Sequence, residues 1–191
     1  FGRWGRNYLA AADAAGAKVS QIVLREGSAS RALADATGLH VVSRVDEIDA
    51  DAVIVATHPS IAPWVAQVLL ERGYPVMLEK PAALSIDDAV ALERTATLSE
   101  GLILVCHQHL FAERYEALSK RGIGPKDRVS LVFHGPGPVR DYSALWDYGP
   151  HVMSALLGIT REVQVTDTGR AGDAMFCAGM KAGEGSAFAC L

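Results

Sequence analysis

The sequence has few cysteines and no long apolar run. Cys106, Cys177 and Cys190 form neither a Cys-x-x-Cys pair nor the spacing of a metal-ligand set, and an odd number argues against a full disulfide framework. We therefore interpret all three as buried thiols. The apolar runs fall well short of the ~20 residues that span a bilayer, and no charged leader precedes an apolar signal core. The expected compartment is the cytoplasm.

The sequence also lacks an excess of positive charge. Its 18 Lys and Arg stand against 22 Asp and Glu, which gives a formal net charge of -4, and the basic residues are not clustered. Nucleic acid and anionic membranes are therefore not expected partners. Because 50% of the 191 residues are hydrophobic and 21% are charged, the chain can bury a sizeable core. This composition favours a protein that handles small molecules.

Strand-like and helix-like segments alternate over the first half of the chain. The strand-like runs lie in 18–26, 40–45, 51–57, 75–81 and 101–108, and the helix-like runs lie in 6–15, 30–37, 60–73 and 85–99. Gly16, Gly38 and Gly73 follow the first three helices, and Ser85 is a good first residue for the fourth. Strands separated by helices indicate βαβ units, so residues 1–107 are predicted to form a doubly wound, parallel Rossmann domain.

Beyond residue 108 the pattern changes to strands that lie close together. Strand-like runs occupy 128–135, 162–169, 174–181 and 186–191. The four residues 182–185, Ala-Gly-Glu-Gly, predict a hairpin turn between the last two runs. We expect residues 108–191 to form an α+β domain with a mainly antiparallel sheet. No strand precedes the first glycines and the chain stops in a strand-like run, so we expect the natural protein to extend beyond both ends.

A glycine turn opens the chain. Gly2 and Gly5, with Arg3 and Trp4 between them, form a Gly-x-x-Gly motif at the start of a predicted helix. Such glycines let backbone N–H groups approach the pyrophosphate of a dinucleotide. The first glycine of the usual three would precede Phe1, so two ordinary loop glycines remain an alternative. The βαβ spacing that follows favours a nucleotide.

The end of the next predicted strand bears on the choice of cofactor. NAD-binding domains place an acidic residue about 20 positions after the glycines, where this sequence has Leu24. A leucine cannot accept a ribose hydrogen bond, whereas Arg25 could pair with a 2′-phosphate and Ser28 could donate to it. This favours NADP. The alternative is NAD, with Glu26 as the acidic group.

Four segments carry a resemblance to a known family. They are GRWGRNYL at 2–9, DAVIVATHPSIAPWVAQVLLERGYPV at 51–76, VMLEKPAALSIDDA at 76–89 and LWDYGPHVMSALLG at 145–158. Together they resemble the Gfo/Idh/MocA oxidoreductases, the family of glucose-fructose oxidoreductase and inositol dehydrogenase. The resemblance implies an N-terminal Rossmann domain, a C-terminal α/β domain with a large antiparallel sheet, and hydride transfer between a nicotinamide and a sugar or cyclitol.

The same resemblance implies roles for named residues. Lys80 supplies positive charge to the substrate oxygen, Pro81 fixes the backbone after it, and Glu79 helps to position the nicotinamide. Asp147 binds the substrate hydroxyl, and His151 transfers the proton. A structural Glu-Lys-Pro turn and a surface histidine behind an aspartate cap are the alternatives.

The local sequence around His151 suggests how its base form is maintained. Pro150 is suited to the first position of a helix, which would place His151 in the first turn. The positive end of the helix dipole would then keep the imidazole neutral. A shared helical face for Asp147 and His151 does not follow from this arrangement.

Other residues near predicted strand ends are candidates for ligand contacts. Thr57, His58 and Pro59 follow a buried strand at the end where cofactors bind in doubly wound sheets. His107 and His109 alternate with the strand period, so they are predicted to share one face as a wall beneath the nicotinamide, with Gln108 opposite. They lack a third ligand at metal spacing, so we predict no metal.

Two positions depart from the family pattern. Ala62 and Leu110 stand where the family often has histidine and arginine, which puts one cofactor contact and one substrate contact in doubt. The leading prediction is an NAD(P)-dependent oxidoreductase acting on CH-OH groups, in an oligomer formed through the C-terminal sheet. The alternative is a cofactor-binding sensor or scaffold without turnover.

Overall fold

The chain forms two compact units. A computed structural model describes residues 1–132, 140–171 and 175–191. The first unit comprises Phe1–Glu79 and Ser85–Leu104, and the second comprises Lys80–Leu84 and Val105–Leu191. The short segment Lys80–Leu84 thus packs with the second unit although it lies between two stretches of the first.

The first unit alternates helices and parallel strands, as predicted. Its helices are α1 (Arg3–Ala14), α2 (Arg31–Asp35), α3 (Ala62–Glu71) and α4 (Ile86–Leu98). Its strands are β1 (Gln21–Val23), β2 (His40–Val42), β3 (Val53–Val55), β4 (Val76–Glu79) and β5 (Ile103–Cys106), of which the last continues into the second unit. β1 pairs in parallel with β2, and a separate sheet has the order β3-β4-β5. The glycine turn leads directly into α1.

Apolar residues of the first unit pack the helices onto the strands. α3 buries Ala66, Leu69 and Leu70, and β4 buries Val76 and Leu78. The helix boundaries follow local rules: the Ser85 hydroxyl accepts the backbone N–H of Asp88 at 3.1 Å. Gly16, Gly38 and Gly73 adopt positive φ after their helices, as predicted. The strands are shorter than predicted; only Gln21–Val23 of the run 18–26 forms a ladder.

The second unit packs a long helix on one face of a four-stranded sheet. A 3₁₀ turn (Gln108–Phe111) leads into α5 (Glu113–Arg121), β6 (Arg128–Val132), α6 (Ala144–Thr160), β7 (Val163–Ala171), β8 (Met175–Ala182) and β9 (Gly185–Cys190). The sheet order is β6-β9-β8-β7; β9 is antiparallel to β8, β8 is antiparallel to β7, and β6 runs parallel to β9. Val152 and Leu156 of α6 pack against Met180, Ala182 and Ala187 of the sheet. The prediction of a mainly antiparallel second sheet is therefore confirmed.

The predicted hairpin is present. Ala182 pairs with Gly185 across a two-residue loop, in which Gly183 has φ +55. Cys177 and Cys190 face each other on the two strands, with their sulfur atoms 3.1 Å apart. All three cysteines are free thiols, but they are half-buried and not buried as predicted. Residues 133–135 and Ala174 of the predicted strands lie outside the described residues.

None of the helices in the part of the chain that the structure describes is long and apolar enough to cross a membrane.

Two local predictions in the second unit are wrong. α6 begins at Ala144 and continues through Pro150, so the proline is inside the helix and His151 lies in its second turn. β5 ends at Cys106, so His107 and His109 lie beyond the strand and the second of them is on the 3₁₀ turn. In the first case, proline favours the start of a helix but does not require it, and α6 continues on both sides of Pro150 although the proline lacks an N–H to donate.

Candidate active site

Lys80 and Asp147 form a buried ion pair in the second unit. The ammonium Nζ of Lys80 donates to Asp147 Oδ1 at 2.5 Å and to the backbone carbonyl of Asp147 at 2.9 Å. The two side chains are only 10% and 11% exposed. A buried ion pair with a second hydrogen bond has a defined geometry, because neither charge can turn to water instead. The structure thus brings together two of the three predicted catalytic residues.

His151 lies one helical turn beyond Asp147. Both are on α6 at positions i and i+4, which place their side chains on the same face. The sequence prediction did not place them on one face, because it assumed that the helix starts at Pro150. The continuous helix therefore provides the spacing that the prediction took only from the resemblance.

Three imidazoles lie together beside this face. The ring centroids of His109 and His151 are 5.2 Å apart, and His107 lies 5.9 Å from His109 and 6.3 Å from His151. The strand alternation predicted for His107 and His109 is wrong, but the 3₁₀ turn still keeps their rings close. Among the described residues, no group of three or more His, Cys, Asp or Glu has the arrangement of a metal site.

The surroundings of His151 favour its neutral form. Burial, then the positive charge of Lys80, then His109 and His107 lower the pKa of His151 to about 4, although Asp147 acts in the opposite direction. Burial also lowers the pKa values of His107 and His109. A neutral imidazole can accept a proton at physiological pH. The neutral form of His151 is therefore due to burial and to the nearby positive charge, and not to the start of a helix as predicted.

Two further side chains approach the ion pair. Arg140 Nε lies 3.6 Å from the second carboxylate oxygen of Asp147, and Lys80 Nζ lies 6.0 Å from the ring centroid of Tyr148. Sequence analysis missed Arg140, since no motif surrounds it. Its proximity to Asp147 depends on the path of the chain before α6.

In the first unit, the glycine turn lies at the N-terminus of α1. Gly2 is the N-cap of the helix, the first turn contains no acidic residue, and a Cβ at Gly2 would have no neighbour within 4 Å. A Cβ at Gly5 would lie 3.1 Å from the Phe1 ring, so glycine allows close packing there. Arg3 is exposed and Trp4 is half-buried. These features fit a phosphate-binding turn, because the helix N–H groups are approachable and the helix dipole favours an anion.

The end of β1 separates apolar from polar side chains. Leu24 packs into the core with Ile22 and Ala34, whereas Arg25 is exposed and Ser28 is half-buried. The Ser28 hydroxyl accepts the backbone N–H of Ser30 at 3.3 Å. Leu24 is therefore a core residue, and Arg25 remains accessible to a ligand.

The candidates after β3 and β4 differ in burial. Thr57 and His58 are exposed after β3, Pro59 is buried, and the His58 ring contacts the Ser60 hydroxyl at 2.7 Å. Glu79 ends β4, is 8% exposed, and accepts a hydrogen bond from the Tyr8 hydroxyl of α1.

The contact between Tyr8 and Glu79 joins the glycine-turn helix to the end of β4 within the first unit. Sequence analysis missed it, although Tyr8 lies one helical turn beyond Gly5. Pro81 is buried in the second unit, directly after Lys80.

Comparisons with known proteins identify a family and a shared fold. A family model described as "Oxidoreductase family, NAD-binding Rossmann fold" matches residues 1–107. A search of curated proteins finds no match.

Several solved structures share the fold over nearly the whole chain. The WlbA dehydrogenase from Bordetella pertussis, solved with NADH and UDP-GlcNAcA, has 18% identity and a TM-score of 0.81, with 100% of this chain and 69% of that chain covered. A protein assigned as a myo-inositol dehydrogenase from Sinorhizobium meliloti 1021 has 20% identity and a TM-score of 0.81, covering 99% of this chain and 66% of that one. An NAD-binding protein from Listeria innocua has 21% identity and a TM-score of 0.82, covering 100% of this chain and 62% of that one. At these identities the similarity shows the fold alone, and this chain spans about two thirds of their length.

Proposed function

This chain belongs to the Gfo/Idh/MocA oxidoreductase family, and we propose that it transfers a hydride between the nicotinamide of NADP and a sugar, cyclitol or related hydroxy or keto compound. One arrangement supports catalysis above all: a buried Lys80–Asp147 ion pair beside a neutral His151 on the same helix. A protein that only bound the cofactor would have no need of a buried ammonium next to a neutral imidazole.

The chemistry divides between the carbon and the oxygen of the substrate. The bound cofactor supplies or accepts the hydride at the carbinol carbon. In oxidation, the hydroxyl proton passes to the imidazole of His151 while the ammonium of Lys80 stabilises the negative charge that develops on oxygen. In reduction, the protonated imidazole returns the proton to that oxygen. Asp147 holds Lys80 in place and binds a substrate hydroxyl.

The first unit provides the residues for the cofactor. Backbone groups of Gly2, Arg3, Trp4 and Gly5 at the start of α1 would bind the pyrophosphate. Thr57, His58, Pro59 and Glu79 follow strand ends and would line the cofactor, and Lys80 and Pro81 continue the chain from Glu79. The preference for NADP is supported by the buried Leu24 and by Arg25, exposed next to it.

The open face of the second sheet supports an oligomer. α6 covers one face, while Val132 is 71% exposed, Phe188 49% and Met175 47%. We propose that a second copy of this chain covers these side chains. Phe188→Lys should shift the protein to a smaller species in light scattering, whereas Leu98→Lys, at an exposed position on α4, should not. A monomeric unmodified protein would contradict the proposal.

The experiment that tests the function has two steps. NADPH and NADH are first titrated into the protein while nicotinamide fluorescence is recorded, and a panel of keto sugars and keto cyclitols is then added with the tighter cofactor. The proposal expects NADPH to bind more tightly and its fluorescence to decay with at least one member of the panel. Tight binding without turnover of any compound would favour a sensor or scaffold instead.

A further inference from the structure

The proposed reaction uses one imidazole of the three in the second unit. His151 lies on α6, and His109 approaches it from the 3₁₀ turn, with the two Nδ1 atoms 3.3 Å apart. On its other side, His109 Nε2 lies 3.2 Å from the hydroxyl of Ser154, also on α6. His109 therefore bridges two residues of the same helix. Which atom donates in each of these two contacts follows from the number of protons on the Ser154 hydroxyl and on the His109 ring.

The hydroxyl of Ser154 has one proton, which it donates to a backbone carbonyl of its own helix. Ser154 Oγ donates to the backbone carbonyl of Pro150 at 2.6 Å, with the carbonyl of His151 at 3.2 Å as a second acceptor. Carbonyl oxygens only accept, so the hydroxyl proton points towards them. Towards His109 the hydroxyl oxygen can therefore only accept, and the proton of that contact belongs to His109 Nε2.

The proton on His109 Nε2 determines the state of the other ring nitrogen, Nδ1. A neutral imidazole carries one proton, so with Nε2 protonated the Nδ1 atom of His109 is an acceptor. The low pKa of His109, caused by burial, makes the neutral form the relevant one at physiological pH. The neighbouring Nδ1 of His151 must then donate to it. A neutral His151 that carries its proton on Nδ1 has its lone pair on Nε2.

We infer that Ser154 and His109 are positioning residues that hold His151 in the Nδ1-protonated tautomer, so that Nε2 is the nitrogen that exchanges a proton with the substrate oxygen. The assignment of the tautomer rests on the hydrogen-bond geometry and on the neutral state of both rings, and its catalytic role rests on the proposed function. Because histidine has two neutral tautomers, a base without such a partner presents the required nitrogen only part of the time. Pro150 contributes through its carbonyl, which orients the serine.

A second contact supports the orientation of His109. The Tyr115 hydroxyl, from α5, donates to the backbone carbonyl of Ala155 at 2.8 Å, and the Tyr115 ring meets the His109 ring edge to face at 6.0 Å. This links the segment that carries His109 to the same helix that carries His151 and Ser154. The spacing of the two imidazoles is thus held at more than one point.

Nitrogen NMR of the full chain with ¹⁵N-labelled histidine tests the assignment. Protonated and unprotonated ring nitrogens resonate far apart, and His151→Gln identifies the His151 signals by their loss. We expect the unmodified protein at neutral pH to show His151 protonated on Nδ1. A His151 protonated on Nε2 would overturn the inference.

Two variants of Ser154 test whether this residue sets the tautomer of His151. Ser154→Ala removes the acceptor of His109 Nε2, so both rings can exchange tautomers and the His151 signals should move towards a mixture. Ser154→Thr keeps the hydroxyl and should restore the original signals. Ser119→Ala is the matched control, since Ser119 donates to a helix carbonyl, that of Glu116, at 2.9 Å in the same unit. A His151 tautomer unchanged in Ser154→Ala would overturn the inference.

Kinetics separates this inference from the proposed function. With a substrate in hand, Ser154→Ala should lower kcat by roughly tenfold with little change in KM, as expected when a base spends part of its time in the wrong tautomer. If the tautomer shifts in Ser154→Ala while no compound is reduced, the tautomer assignment stands and the proposed function fails. If hydride transfer depends on His151 but Ser154→Ala changes neither kcat nor the spectrum, the inference fails alone.

Discussion

The two units hold their candidate functional residues in different ways. In the first unit, Gly2 is the exposed N-cap of α1, and Arg25 and Thr57 are exposed. In the second, Lys80 and Asp147 are buried and bonded to each other, and His151 is held by His109. Binding a cofactor requires approachable groups, whereas proton transfer requires side chains in one orientation. The comparison indicates that substitutions in the first unit should mainly alter affinity and those in the second should mainly alter turnover.

The largest expected effect is the loss of turnover when a catalytic candidate of the second unit is replaced. Lys80→Met and His151→Ala should each lower turnover by about 10²–10⁴-fold, because each removes one acid–base or oxyanion contribution. Cofactor affinity in both variants should stay close to that of the unmodified protein. Steady-state rates and a fluorescence titration measure the two quantities. Wild-type rates in both variants would show that the catalytic residues lie elsewhere.

The next effect concerns the ion pair. Asp147→Asn leaves the Lys80 ammonium in a buried site without its anion, so the free energy of unfolding should fall by about 3–5 kcal/mol. KM should rise, and turnover should fall less than in Lys80→Met. Urea denaturation and initial rates provide these values.

Arg140→Ala is the control for the ion pair. Its contact with the same carboxylate is longer, at 3.6 Å, and its side chain is 42% exposed. Arg140→Ala should therefore lower the free energy of unfolding by less than about 1 kcal/mol. Equal losses of stability in the two variants would contradict the special role of the buried pair.

A smaller effect is expected in the first unit, where a substitution should change the affinity for the cofactor. Arg25→Ala should weaken NADPH binding by about 1–3 kcal/mol, the scale of one lost charge-assisted contact to the 2′-phosphate, and should leave NADH binding unchanged. Arg31→Ala is the control, since its guanidinium donates to Asp35 at 2.8 Å. Isothermal titration gives the affinities. Equal affinity of the unmodified protein for both cofactors would refute the prediction.

The last effect is the dependence of stability on pH. The pKa of His151 is about 4 in the folded protein, below the ordinary value of 6.5, so between these pH values the unfolded chain binds the additional proton. The free energy of unfolding should therefore fall as the pH drops from 6.5 towards 4, and His151→Gln should reduce this slope. Denaturation at a series of pH values measures it. The same slope in both proteins would count against a neutral, desolvated His151.

Local signals predicted the first unit well. Ser85 caps α4, and Gly16, Gly38 and Gly73 follow their helices, because caps and positive φ depend on residues close in sequence. Strand lengths were overestimated, since an apolar run continues beyond the residues that find a hydrogen-bonded partner.

The arrangement of the candidate site was less predictable. Lys80 and Asp147 are 67 residues apart, and no spacing rule brings them into contact. Resemblance supplied the residue types, but the ion pair, the proximity of Arg140 and the bridge through His109 depend on tertiary packing. The helix start predicted at Pro150 was wrong because proline favours the first turn of a helix without excluding its interior.

The continuity of α6 makes this arrangement sensitive to chain length. Asp147, His151 and Ser154 occupy one helix at intervals of four and three residues, so their alignment is a matter of angular phase. One inserted residue between the first two would rotate everything beyond it by about 100° around the helix axis. The residues between them can change in kind without altering that phase. Homologous sequences that keep this chemistry should therefore vary by substitution within 147–154 and show no insertions or deletions there.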